Sequence, residues 1–390
     1  MRPLVYLDNA ATTPIRPEVL EAMAPYVSGG AFGNPSSAHR FGREARAAVQ
    51  EARRKIATAL GAEPGQVFFM SGGTEANNLA VVGAALAARA AGRPFRVAVS
   101  AIEHKAVHGA AHAVEALGGE MVVLPVDRQG QVDLDALDAA LEKGVAVVSV
   151  MWVNNEVGIV QDIRGIAERC AAAGTPFHTD AVQAVGKVPV SLSDAPCTML
   201  TLSGHKLGAP KGIGALVLRD RKCVHPLLHG GGQQGGIRPG TENVSGAVGL
   251  GRAVELAVSE LDEFQRSVGS LRERFERGVT RAVSDLEVTG ANAPRAPHVC
   301  NVTVPGTDSE AMLMHLDLAG IACSSGSACS TGSVEPSHVL TALEVPFDRA
   351  IAALRFSFWK HTTAEDVDYV VEQLPGIVSK VRSLAGVLRR

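Results

Sequence analysis

From residue 67 to residue 218 the chain alternates between two kinds of segment. Short, mostly apolar runs fall at residues 67–70, 96–100, 121–126, 145–153, 176–179, 199–202 and 213–218. Between them, residues 74–89, 105–117, 134–143 and 163–173 carry apolar side chains at helical spacing. Strands that are apolar along most of their length have both faces buried. Their alternation with helices predicts an α/β fold with a mostly parallel sheet covered on both sides. Such sheets bind ligands at the carboxyl ends of their strands.

The flanking segments follow a different order. A short strand at residues 6–8 leads into a turn, and Pro17 opens a helix to Tyr26. Gly33-Asn34-Pro35-Ser36-Ser37 is a loop, and an amphipathic helix over 42–60 ends at Gly61. After the sheet region comes a glycine-rich loop over 229–241. Leu256, Leu261, Phe264, Val268, Leu271, Phe275, Val279 and Val283 then predict one long amphipathic helix, a natural hinge into a second domain. Beyond it lie a strand at 299–304, a helix at 310–318, a strand at 321–323 and a Ser/Gly-rich loop at 324–333. In residues 354–358 the apolar positions alternate, so Arg355 and Ser357 share the opposite face. Thr363 and Asp366 predict a capping box before a last helix, with an interruption at Pro375. The expected division is a large domain over 14–255 and a smaller α+β domain built from 1–13 with 256–390.

Composition narrows the function. The chain has 390 residues, 46% hydrophobic and 20% charged, which fits a globular protein. A net charge of −3 with no basic block argues against a nucleic-acid partner. No apolar run is long enough for a membrane span, and the N-terminus is not patterned as a signal peptide. The six cysteines are scattered with no CxxC pair, which predicts reduced thiols, a cytoplasmic location and no metal site.

The candidate chemistry lies just past the strand ends. Strand 67–70 releases Ser71-Gly72-Gly73-Thr74 at a helix start, a possible phosphate cradle. Strand 96–100 releases Glu103-His104, and strand 145–153 releases Asn154-Asn155-Glu156. Strand 176–179 releases Asp180, with Gln183 three residues on, and strand 199–202 releases Ser203, His205 and Lys206. Each signal alone has a plain alternative: a turn, a helix cap, a lysine closing a sheet. Together they suit pyridoxal 5′-phosphate. Its phosphate, flat ring, ring nitrogen and aldehyde ask for a cradle, a stacking ring, a carboxylate and an amine.

Eight motifs now carry a resemblance across almost the whole chain. They are residues 6–13 (Tyr6 to Thr13), 33–37, Ser71-Gly72-Gly73-Thr74-Glu75, Asn154-Asn155-Glu156-Val157-Gly158, His178-Thr179-Asp180-Ala181-Val182-Gln183, Ser203-Gly204-His205-Lys206, Gly240-Thr241-Glu242-Asn243, and Ser325-Gly326-Ser327-Ala328-Cys329. In these the sequence resembles the NifS/IscS-type cysteine desulfurases, fold-type-I pyridoxal-phosphate enzymes of the class-V aminotransferase family.

The resemblance implies a role for each motif residue. Lys206 would be the Schiff-base lysine and the base at the substrate α-carbon. Asp180 would pair with the ring nitrogen, Gln183 would bond the ring's phenolic oxygen, and His104 would stack on the ring and carry protons. Gly73, Thr74, Ser203 and His205 would hold the phosphate. Thr241 would reach the phosphate of a neighbouring subunit, which implies a homodimer. Asn155 and Arg355, with Asn34, would bind the substrate L-cysteine. Cys329 would take the sulfur as a persulfide, with L-alanine released, and pass it to an iron–sulfur scaffold or another acceptor. A transient iron–sulfur contact at Cys329 is the only metal contact implied. Cys323 sits on a strand and is expected to be buried and slow, whereas Cys329 lies in a run without a bulky apolar anchor, expected to be mobile.

Two departures bear on this reading. The loop Gln233-Gln234-Gly235-Gly236-Ile237-Arg238 carries less arginine than the family's usual run, which bears on the dimer contact. The short segment after the last helix, with Glu335-Pro336-Ser337-His338, points to the NifS-like branch. A selenocysteine lyase or β-eliminating enzyme, and a non-catalytic scaffold that kept the fold, are the rival readings. Cys329 argues against the first, and the intact Lys206, Asp180, His104 and Cys329 set against the second.

Overall fold

The computed structural model describes residues 4–325 and 335–388. The short N-terminal strand β1 is Val5–Tyr6. The strands of the main sheet are β2 (Val67–Met70), β3 (Arg96–Ser100), β4 (Glu120–Leu124), β5 (Val147–Ser149), β6 (Phe177–Asp180), β7 (Met199–Ser203) and β8 (Gly214–Leu218). They stand in the order β2-β8-β7-β6-β5-β3-β4. The pairs β3–β4, β3–β5, β5–β6 and β6–β7 are parallel, while β8 is antiparallel to both β7 and β2. Every strand but β8 therefore runs the same way, and one sheet edge collects all their carboxyl ends.

The strand sequences show why both faces are covered. Val67 and Phe69 pack into the core on one face, and Phe68 and Met70 into the core on the other. The region expected to form a strand over 145–153 is ladder-paired only over Val147–Ser149. Val153 instead bridges back to Val160, so the chain curls over the sheet edge there.

β8 enters at the same edge where β2 and β7 leave. A side chain at Gly214 would meet the Leu202 carbonyl oxygen at 2.7 Å and Gly72 at 2.8 Å. Glycine therefore permits the crossing of three backbones beneath the site.

The second sheet is β12-β10-β9, built from Glu287–Val288 (β9), Val299–Thr303 (β10) and Ala353–Ser357 (β12), all antiparallel. β1 pairs in parallel with Ile321–Ala322 (β11). A separate core joins Val5 and Leu7 to Phe275, Phe356, Phe358 and Leu374. The N-terminal segment thus packs with the C-terminal third of the chain.

Two helical expectations need correcting. The long helix predicted over 256–283 is two helices, Val244–Ser259 and Leu261–Ala282, separated at Glu260. The Glu260 carboxylate is anchored there by buried Arg16, at 2.6 and 2.9 Å, and by Lys360 at 3.0 Å. The last helix, Ala364–Leu388, runs straight through Pro375. A mid-helix proline costs about 3 kcal/mol. Val370, Leu374, Val378 and Val381 bury one stripe of that helix around it, and this packing outweighs the lost bond. The reciprocal Thr363–Asp366 cap is present, at 2.9 and 3.1 Å.

Candidate active site

The carboxyl ends of the sheet enclose a cavity of about 430 Å³. Gly73, Thr74, His104, Asn155, Asp180, Gln183, Ser203, His205, Lys206 and Arg355 all line it. Asn34 and Thr241 are not on its wall. The Asn34 side chain closes its own turn by accepting from the Ser36 amide at 2.9 Å. Cys329 lies outside the described residues.

Lys206 ends a single helical turn, Gly204–Lys206, that follows β7 directly. The turn is fixed by its carbonyls. Thr13 donates its amide (2.9 Å) and hydroxyl (3.0 Å) to the His205 carbonyl, and Lys187 Nζ donates to the Lys206 carbonyl at 3.1 Å. Gly208 follows in the left-handed region at φ 78°, where a side chain would strike Arg16 at 2.5 Å. The Lys206 amine donates to the Ala10 and Ala11 carbonyls. Burial, and then the positive charge of Arg355, push its pKa down to about 8. A substantial share of the amine is therefore neutral and nucleophilic near physiological pH.

Asp180 closes β6 and is buried. It accepts from Asn77 Nδ2 at 2.7 Å and from the Val182 amide at 3.0 Å. The buried Asn77 Oδ1 finds no donor among the described residues. Beside it the helix beginning at Gly73 has no side-chain cap, so its first amides keep their hydrogen-bonding capacity. A side chain at Gly73 would lie 3.1 Å from Val182 Cγ2 and 3.6 Å from Ser203 Cβ. The cradle is narrow because that residue is glycine.

Two neutral imidazoles flank these groups. His104 Nδ1 accepts from the Ala106 amide at 3.1 Å, which leaves Nε2 as the ring's donor. Burial lowers its pKa. Burial and the charge of Lys206 push His205 down to about 4. Gln183 is held at both ends of its amide: Nε2 donates to the Ala10 carbonyl at 2.9 Å, and Oε1 meets His298 Nε2 at 3.0 Å.

Arg355 reaches the cavity from β12. It donates Nη2 to Asp8 Oδ1 at 2.8 Å and Nη1 to the Asn155 carbonyl at 3.0 Å. The two asparagines in the segment that follows β5 divide the work. Asn154 is a turn former, bonded to the Ile102 carbonyl and to the Glu156 and Val157 amides. Asn155 lines the cavity.

Sequence reasoning gave several groups no role in the site. The Ala10 and Ala11 carbonyls carry no side-chain signal. Asn77 had one, a polar residue beside the buried positions Ala76 and Leu79 of its helix. His338 also lines the cavity, with Nε2 at 2.9 Å from the Glu103 carbonyl and its ring edge-on to His108. Glu103 is fully buried behind His104 and accepts from the Ser100 hydroxyl and the Met151 amide, both at 2.6 Å. Burial raises its pKa to about 8.

The donor set fits pyridoxal 5′-phosphate. An uncapped helix start with Ser203 beside it matches a phosphate, Asp180 a protonated ring nitrogen, and Lys206 an aldehyde. The unmatched Asn77 Oδ1 leaves hydrogen-bonding capacity in the same wall.

Comparison with known proteins gives the same answer. Residues 5–370 match the class-V aminotransferase family. A cysteine desulfurase IscS from Dictyoglomus turgidum is 45% identical over 385 residues, 99% of this chain and 97% of that protein. A solved NifS-like protein superposes with a TM-score of 0.89 at 34% identity, covering 97% of this chain and all of that one. A structure of SspA in complex with cysteine gives 0.80 at 34% identity, over 91% of this chain and 98% of that one. The fold, the lysine at the end of β7 and these full-length matches together mean that the chain belongs to the class-V aminotransferase family, within its cysteine desulfurases.

Proposed function

We propose that this protein uses pyridoxal 5′-phosphate to take sulfur from L-cysteine, releasing L-alanine and keeping the sulfur as a persulfide on Cys329. The observation that carries this reading is the Lys206 amine, with its pKa lowered to about 8, in one cavity with Asp180 and the uncapped helix start at Gly73. The cofactor, held by these groups, supplies an electron sink that makes the substrate's α-proton acidic.

The chain's own residues do the rest. Gly73, Thr74, Ser203 and His205 hold the phosphate, Asp180 keeps the ring nitrogen protonated, and Gln183 bonds the ring oxygen. Lys206 would take the α-proton, and His104, with Nδ1 engaged by the Ala106 amide and Nε2 left to donate, would stack on the ring and relay protons. Arg355 and Asn155 grip the substrate carboxylate; a guanidinium matches it with two parallel bonds. The Cys329 thiolate attacks the substrate sulfur. A sulfur–sulfur bond forms, the carbon–sulfur bond breaks, its electron pair stays with the alanine skeleton, and that carbon takes a proton.

Burial raises the pKa of the described cysteine nearest in sequence, Cys323, so that thiol is a poor source of thiolate. A second copy of the chain would cover the stacked Phe32 and Phe41, 78% and 48% exposed, and bring its Thr241 to this phosphate site. The persulfide would pass to an iron–sulfur scaffold or another acceptor in the cytoplasm. Among the described residues no helix is long and apolar enough to cross a membrane.

Incubation with L-cysteine and a thiol reductant tests the reading. Equal amounts of alanine and sulfide are expected, with the extra sulfur on Cys329 when the reductant is omitted. Pyruvate with free sulfide would mark a β-eliminating enzyme instead.

A further inference from the structure

Lys187 has no place in the chemistry above, yet it is the one fully buried lysine among the described residues, 1% exposed. It follows Gln183 by four positions, in the turn that leaves β6. Its amine makes no ion pair among the described residues. It donates to the Lys206 carbonyl at 3.1 Å and lies over the Trp359 ring, 5.8 Å from the centroid. Its own carbonyl accepts from Gln265 Nε2 at 3.2 Å. Lys187 thus links the turn that carries the reactive lysine to two residues of the C-terminal third.

A buried amine with no carboxylate is a poor stabiliser. An ammonium has three protons to satisfy, and taking it out of water is costly without a charged partner. An apolar residue of the same length would serve the fold better. The expense is explained if the amine works for its neighbour.

We infer that Lys187 is a positioning residue for Lys206: its amine holds the main-chain carbonyl of the turn that delivers that lysine. The inference rests on the proposed role of Lys206. Burial first, and then the charge of Lys206, push Lys187 down to about 7, so the buried amine is largely neutral where Lys206 titrates. The other groups around the pair are His205 and His298, both pushed toward the neutral form by burial and by these lysines. Arg355, Asp8 and Asp180 act on Lys206 as well.

The test compares Lys187→Met and Lys187→Gln with the wild-type chain at full length. Three quantities are read: melting temperature, the pH midpoint of Lys206 labelling by trace acetic anhydride in cofactor-free protein, and kcat and KM after loading. Lys187→Met should melt higher below pH 7, because a costly buried charge is gone. Its Lys206 midpoint should stay near that of the wild type, because Lys187, at about 7, is already largely neutral where Lys206 titrates. Its kcat should fall roughly 10- to 100-fold with KM little changed. Lys187→Gln keeps a donor for the Lys206 carbonyl, so it should recover most of kcat.

A Lys187→Met protein that melts lower or fails to fold, or a Lys187→Gln protein whose kcat stays as low as that of Lys187→Met, overturns the inference and makes Lys187 structural. Borohydride reduction of the loaded wild type keeps the two claims apart. If Lys206 is not tagged there, the proposed function fails. If it is tagged and the variants behave as wild type, only the role of Lys187 fails.

Discussion

The two walls of the cavity are built differently. On the sheet side, Gly73, His104, Asp180 and Lys206 each follow directly from the end of a strand or open a helix just beyond it. The strands behind them are held by ladders, on both sides for β3, β6 and β7 and on one side for β2, so the wall is rigid before any ligand arrives. On the opposite side, Arg355 stands on a strand of a different sheet, and Ser324 is tied to it by a single isolated bridge. Its guanidinium is held by Asp8 and by the Asn155 carbonyl, groups 347 and 200 positions away in sequence. The sheet side is suited to hold a permanent cofactor. The other side is suited to a substrate that enters and leaves, since its polar contacts can be exchanged for a carboxylate.

Substitutions on the two walls should therefore fail in different ways. The largest effect is expected for Lys206→Ala: no covalent tag after borohydride reduction and no measurable alanine, read by mass spectrometry and product assay. Lys211→Ala should keep both. Asp180→Asn comes next, with cofactor still bound but kcat lower by roughly 10²–10³-fold, from steady-state kinetics. Across the cavity, Arg355→Ala should raise KM for L-cysteine roughly 10- to 100-fold and leave cofactor affinity near wild type. If it instead loses cofactor and leaves KM alone, the division of labour between the walls is wrong.

The smallest effect concerns Glu103, behind the sheet-side wall. Its pKa in the folded protein is about 8, above the ordinary carboxylate value, so the folded state holds a proton that the unfolded state has released. Its contribution is fully present below about pH 4.5 and is lost as pH rises through 8. Glu103→Gln carries no such titration. The melting temperature of that variant minus wild type should become more positive from pH 5 to pH 8 and then level off. A span of a few degrees is the expected scale. A gap that stays flat with pH would mean that Glu103 is ionised in the folded protein.

The same contrast explains what the sequence made legible. Apolar runs and the polar residues just past them are local features, so five strand ends could be read with their chemistry. The face carrying Arg355 was also local, a matter of alternation. What stayed hidden depends on distant packing. The Ala10 and Ala11 carbonyls matter only because β1 pairs with β11. Lys187 sits in an apolar run and gives no sign of whose carbonyl it reaches. The break at Glu260 is set by Arg16 and Lys360, and the unbroken helix at Pro375 by its buried stripe. No periodicity contains either fact. The loop around Gln234 read only as a departure in composition. In the structure its side-chain amide both donates to and accepts from the Phe69 backbone at 2.7 Å, occupying the free edge of β2.

The pairing of β1 with β11 also sets an order of events in the making of the protein. Residues 5–6 leave the ribosome first, yet their partners are residues 321–322, and Asn9 and Ala10 are held by Ser357. The main sheet needs nothing beyond residue 218 for its ladders and is free to form during synthesis. The carbonyls that receive the Lys206 amine cannot be locked in place until residues 321–357 have emerged. Closing so long a loop adds little free energy, since the entropy grows only with the logarithm of length. What it adds is delay. Until residues 321–357 have emerged, a nascent chain would carry the reactive lysine with its amine unguided.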